Sequence, residues 1–153
     1  MAMMMRMILF AAVVMIVVGA SPSFAADIDR SVADFKTPAD IKWVRNAAGT
    51  NESAVLFGDP SKPGPYVMRL RWLAGNMSRP HFHPNDRFFV VLSGTWWIGT
   101  GDKYDPDNTV AVPAGSYVIH YANKIHYDGA KNEDAVIQVW GMGPATSTPA
   151  EKR

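Results

Sequence analysis

The chain has 153 residues, 48% of them hydrophobic, with 15 basic side chains against 14 acidic ones and no cysteine. So even a balance, with no basic stripe, argues against nucleic acid as a partner. Absence of cysteine excludes disulfides and thiolate ligands, so any metal must be held by nitrogen and oxygen.

Residues 1–25 read as a secretory leader. Arg6 and the chain amine make a basic start, and Met7 to Ala20 is an apolar run of 14 residues. A membrane-spanning helix needs about 20, and Ser21-Pro22 stops this run short. Ser23-Phe24-Ala25 places small residues where a signal peptidase cuts, so cleavage is expected after Ala25. The mature protein is then periplasmic or secreted, with no membrane attachment. Six of the nine methionines leave with the leader, and the loss of Arg6 brings basic and acidic side chains to 14 each.

Residues 26–40 are polar and read as an N-terminal arm. Ile41 to Val44 and Ser53 to Phe57 are short strand candidates, the second ended by Gly58-Asp-Pro60. Tyr66 to Leu73 alternates as a half-buried strand does, and Phe88 to Leu92 is continuously apolar, as in a strand covered on both faces. Thr95 to Ile98, Thr109 to Val112, Ser116 to Tyr121 and Ala135 to Trp140 complete the set. Apolar residues nowhere repeat with a period of 3.6, and short strands between Gly and Pro turns indicate an all-β sandwich or barrel. Residues 144–153, with two prolines and no apolar pattern, read as a flexible tail.

The chemistry-bearing residues are His81 and His83, with His126 following a later strand. Residues i and i+2 of a strand project from one face, so both imidazoles can address one point. Paired strand histidines are often plain surface residues, so the frame around them decides. Gly75, His81, His83 and Gly94 carry the spacing Gly, five residues, His-x-His, then a final Gly, and Arg87 stands four positions after His83. Gly115, Tyr121, Asn123, His126 and Ala130 form a second spaced set. Asn123 suits a turn, because Asn tolerates the left-handed conformation.

These two spaced sets resemble the two motifs of the cupin family, over Tyr66 to Gly143. Arg87 stands where the family has Glu, and Tyr121, Asn123 and Ala130 where it has Pro, Gly and Asn. Gly58 to Tyr66, Val112 to Ser116 and Val136 to Gln138 look like a group of small exported single-domain cupins. The resemblance implies a double-stranded β-helix, or jelly-roll barrel, over residues 41–143. It also implies His81, His83 and His126 as ligands of a divalent metal (Zn, Fe or Mn) at one mouth of the barrel.

Arg87 complicates that implication, since a guanidinium has no lone pair for a cation. Three outcomes follow. The three histidines suffice and Arg87 holds an anionic substrate; Asp86 replaces the Glu through a bulge, although it is one residue out of register; or no metal binds, and Arg87 with the histidines forms an anion pocket. Gln138 is a second candidate for substrate contact. Phe88, Tyr117 and Trp140 are either pocket liners or core. His120 reads as a plain strand histidine whose removal leaves metal content nearly unchanged. Two functions stand side by side. One is a metal-dependent oxygenase or isomerase of the cupin type, and the other a non-catalytic protein that binds a small molecule. Nothing in the pattern chooses between monomer and homodimer.

Overall fold

Val, Ile and aromatic residues between Gly and Pro turns form eleven strands among residues 27–152, which the computed structural model describes. The expected leader, residues 1–25, lies outside the described residues. The chain falls into two units, Met1–Asp34 and Phe35–Arg153. In the first, the described residues make one turn: Val32 and Ala33 both donate to the carbonyl of Asp29, and the Asp29 carboxylate accepts from Ser31.

The second unit opens with a short 3-10 turn, Pro38–Asp40, capped by Thr37 and Asp40. Eleven strands follow: β1 (Val44–Arg45), β2 (Asn51–Phe57), β3 (Gly64–Trp72), β4 (His81–Phe82), β5 (Arg87–Ser93), β6 (Thr95–Thr100), β7 (Val110–Pro113), β8 (Tyr117–His120), β9 (His126–Gly129), β10 (Ala135–Gly143) and β11 (Thr148–Pro149). They build two antiparallel sheets, in the orders β1-β2-β3-β10-β5-β8 and β11-β4-β9-β6-β7. The core between them comprises Tyr66, Trp72, Phe89, Val91, Trp96, Ile137 and Val139, with Trp96 fully enclosed.

Two glycines make the geometry possible. Gly94 turns β5 into β6 at φ +69°, and a Cβ there would lie 2.1 Å from the carbonyl oxygen of Asp134. A Cβ on Gly99 would fall 2.1 Å from the Tyr127 ring. Asn123 adopts the expected left-handed conformation, φ 59°, and its N–H donates to the His83 carbonyl at 2.8 Å. That bond ties the turn leading into His126 to His83, just past the end of β4.

The end of the chain departs from expectation. Residues 144–152 are not a loose tail: Thr148 and Pro149 pair with Phe82 and His81 on β4. Ala150 N–H donates to the Pro80 carbonyl, Lys152 N–H to that of Asp102, and Arg79 forks onto Glu151. Backbone hydrogen bonds and ion pairs hold this segment, and neither leaves an apolar period in a sequence. It covers the β4 edge, which would otherwise expose unpaired N–H and C=O groups.

Candidate metal centre

His81 and His126 face each other directly across the β4–β9 pairing. With His83 they bring three imidazoles together, at ring-centroid separations of 4.5 Å (His81–His126), 5.0 Å (His81–His83) and 5.4 Å (His83–His126). Each ring has its Nδ1 on a backbone carbonyl: His81 on Arg79 at 2.7 Å, His83 on Thr146 at 2.8 Å and His126 on Lys124 at 2.9 Å. A carbonyl only accepts, so each Nδ1 carries the proton and each Nε2 presents a lone pair. One ligand atom from each ring lies within 4.8 Å of the others. A carbonyl on the far nitrogen is how metal-binding histidines are commonly fixed in tautomer and orientation. His126 Nε2 is buried without a hydrogen-bond partner, so the donor set fits a divalent metal on a point of the structure as well as by residue type.

Arg87 enters this group, as its place in the spacing suggests. It is in phase with Phe89 and Val91, which face the core, and its Nη1 lies 2.6 Å from His83 Nε2. The guanidinium therefore donates to the lone pair that a metal would need. Burial, and then the charge of Arg87, push the His83 pKa down to about 3. Burial likewise holds His126 below its ordinary range, against the pull of Asp128. Neutral imidazoles at ordinary pH are what metal ligation requires.

The group opens into a cavity of about 350 Å³ lined by Leu70, Trp72, Arg79, His81, His83 and Arg87, with Phe89, Asp128, Ile137, Ser147 and Pro149 among the other walls. Two buried donors bear on its chemistry: Arg87 Nε and Trp72 Nε1 have no hydrogen-bond partner. The last segment of the chain supplies both Thr146, which anchors His83, and the walls Ser147 and Pro149.

Several sequence expectations change here. Gln138 does not line the cavity. Along β10, Ala135, Ile137 and Val139 are buried while Gln138 alternates to the other face, where its Oε1 accepts from Arg69 Nε at 3.1 Å. Phe88 and Trp140 also face outward, stacked at 6.0 Å, and line a separate groove with Phe57 and Met142. Tyr117 is exposed beside Trp140. Asp86 accepts the Ala122 N–H at 2.7 Å, so it does not stand in for the missing Glu. His120 is no plain strand residue: it is buried, 3.9 Å from His126 between ring centroids, and its pKa is pushed down to about 2, mainly by burial. Asp128, which sequence reasoning passed over, is buried two residues beyond His126 and accepts from Trp96 Nε1. His126-x-Asp128 was the available signal, the same i, i+2 logic that singles out His81 and His83.

No protein-family model matches the sequence, and no curated protein matches it. Solved structures do resemble the fold. The polyketide cyclase RemF from Streptomyces resistomycificus is 16% identical over 79% of this chain and 87% of its own, with a TM-score of 0.64. An uncharacterized conserved protein with a double-stranded β-helix domain from Klebsiella pneumoniae is 21% identical, covering 71% of this chain and 91% of its own, with a TM-score of 0.55. An RmlC-like cupin from Shewanella frigidimarina is 12% identical, covering 72% and 92%, with a TM-score of 0.56. Two antiparallel sheets, the histidine group between them and these likenesses together show that the chain has the cupin fold, the double-stranded β-helix.

Proposed function

We propose that this is an exported cupin-fold protein that holds one divalent metal on His81, His83 and His126 and acts on or binds a small anionic molecule beside it. The observation that carries the reading is the set of three carbonyl-anchored imidazoles, whose Nε2 atoms converge at one end of a cavity. Bound there, a metal would supply a Lewis acid for a substrate oxygen, with positions left open for water or substrate.

The chain's own residues do the rest. Giving up His83 Nε2 frees the Arg87 guanidinium, whose planar fork suits a carboxylate or enolate in two-point contact. Arg87 Nε and Trp72 Nε1 are two further buried donors awaiting an acceptor, which favours an anion over a neutral ligand. Leu70, Trp72, Phe89 and Ile137 supply apolar walls that limit water. Export is supported by the leader-like residues 1–25. Whether the cavity turns over its ligand, as an oxygenase or isomerase, or only holds it, is the finer question within the same proposal.

One contact favours a second reading, a metal-free anion pocket. Arg87 already satisfies His83 Nε2, and together they form a positively charged wall without any ion. Elemental analysis of protein purified without chelator separates the two. The metal reading expects about one Zn, Fe or Mn per chain in wild type, and a sharp loss in each of His81→Ala, His83→Ala and His126→Ala, since losing a ligand costs more than the 10–100-fold typical of its supporting residues. Wild-type protein that carries no metal and takes up none from added Zn²⁺ would leave the anion pocket in its place.

A further inference from the structure

His120 and Asp128 take no part in the three-histidine group, yet both are buried beside it. His120, at the end of β8, is 7% exposed, and neither of its ring nitrogens has a hydrogen-bond partner. Phe89, Trp96 and His126 surround it, at ring-centroid separations of 4.8, 5.2 and 3.9 Å. An imidazole with two unpaired nitrogens in an aromatic box packs no better than phenylalanine would, and it carries a desolvation cost that phenylalanine does not. Asp128, on β9, is 6% exposed. Its Oδ1 is fixed by the Trp96 indole N–H at 3.2 Å, and its Oδ2 lies 4.0 Å from His126 Nε2. The carboxylate is thus oriented toward the histidines, and Trp96, a neutral donor, does not neutralise it.

We propose that His120, His126 and Asp128 form a second divalent-cation position, an inner one set against Phe89 and Trp96, sharing His126 Nε2 with the three-histidine group. The ligand atoms of this trio lie within 4.8 Å of one another, as do those of the outer trio. Two imidazoles and one carboxylate make a facial ligand set suited to Fe(II), Mn(II) or Zn(II), with open positions remaining. His126 Nδ1 is committed to the Lys124 carbonyl, so its single lone pair serves one ion at a time. The chain therefore holds one ion that partitions between an outer and an inner position. Charge separates the two. The outer trio is neutral, with the Arg87 guanidinium against His83. Arg87 also lies opposite His120 in the β5–β8 pairing, but the inner trio has the Asp128 carboxylate to offset that charge. Trp96 acts as the orienting partner of the carboxylate, the role that backbone carbonyls play for the outer histidines.

The inner position shares only His126 with the outer one, so full-chain variants distinguish them by calorimetric titration with Zn²⁺. Doubly substituted His81→Ala/His83→Ala is expected to keep a residual Zn²⁺ site ~100-fold weaker than wild type, and adding Asp128→Asn or His120→Phe should abolish that residual binding. His120→Phe fills the aromatic box and Asp128→Asn keeps an acceptor for Trp96, so folding survives in both, which near-UV circular dichroism checks. If the double variant binds no Zn²⁺ while folded His120→Phe and Asp128→Asn bind like wild type, the inner position is overturned and the three-histidine reading stands. If the double variant binds like wild type and Asp128→Asn does not bind, the inner position stands and the outer reading falls. Failure of wild type itself to bind Zn²⁺ overturns both.

Discussion

Strands β5 and β10 lie side by side and show two faces that differ in burial. Inward, Phe89, Val91, Ile137 and Val139 are at most 1% exposed, and Arg87 continues the same row to the histidines. Outward, Phe88, Gln138 and Trp140 are partly exposed, with Gln138 bonded to Arg69. Both faces are largely apolar, so composition does not tell them apart; phase does. One residue of displacement decides whether a side chain meets the histidines or meets solvent.

Neighbouring phenylalanines offer the largest test of that contrast. Phe89→Ala would empty a site between Trp96 and His120, and should cost about 3–5 kcal/mol in unfolding free energy. Phe88→Ala, one position along the strand, removes a half-exposed ring stacked on Trp140 and should cost only ~1–2 kcal/mol. Urea denaturation of both variants gives the comparison directly. Equal costs would mean that the two faces are not distinct in packing.

Acid should reveal the inner face next. His83 and His120 have pKa values pushed down from 6.5 to about 3 and about 2. In the unfolded chain both regain the ordinary value, so between pH 6.5 and about 2 the unfolded state binds more protons than the folded one. Stability of the metal-free protein therefore falls as pH drops through that window and levels off below it. Between pH 6 and pH 4 the loss should be on the order of 2 kcal/mol, allowing for partial screening. Chemical denaturation at a series of pH values, with chelator present, measures it. His120→Phe should flatten the slope, and an unchanged slope would show that His120 is not the group responsible.

Arg87 is where the inner row turns from packing to chemistry. Replacing it with Glu removes a positive charge from His83 Nε2 and supplies a carboxylate beside the histidines. Arg87→Glu should bind Zn²⁺ more tightly than wild type by at least tenfold, ~1.4 kcal/mol. Parallel titrations at neutral pH decide it, and unchanged affinity would separate residue 87 from the metal position.

Legibility in the sequence followed the same division. His81 and His83 could be placed because their spacing fits a strand, Arg87 because it stands where the resembled cupin motif has Glu, and Asn123 because its turn needs a left-handed residue. Strands β2, β3, β5 to β8 and β10 were legible from alternation, apolar runs and turn residues, whereas the short strands β4 and β9 were not. Gln138 was misplaced because Ala135-Val-Ile-Gln-Val-Trp140 is apolar on both faces, so the alternation that marks an inner row is missing. Strand β11 and the Thr146 anchor of His83 were hidden for another reason: backbone groups hold them, and backbone groups are the same in every sequence. His120 needed the fold, because no spacing brings β8 to His126 on β9, whereas Asp128 could have been read from its i, i+2 spacing to His126.

Gln138 provides the smallest effect and the sharpest check on phase. Its Oε1 accepts one hydrogen bond from Arg69, on the partly exposed face of the sheet, and it lines neither cavity wall nor histidine group. An isolated contact of this kind contributes little, because water replaces it when it is lost. Gln138→Ala should therefore change unfolding free energy by no more than ~0.5–1 kcal/mol. Zn²⁺ affinity and cavity binding of a small carboxylate should match wild type. A loss of carboxylate binding in Gln138→Ala, with Zn²⁺ affinity unchanged, would place residue 138 in the ligand's path and reverse the assignment of inner and outer rows on β10. Matched binding in Gln138→Ala beside lost carboxylate binding in Arg87→Ala would fix the rows as described, with Arg87 facing the chemistry and Gln138 on the opposite face of the sheet.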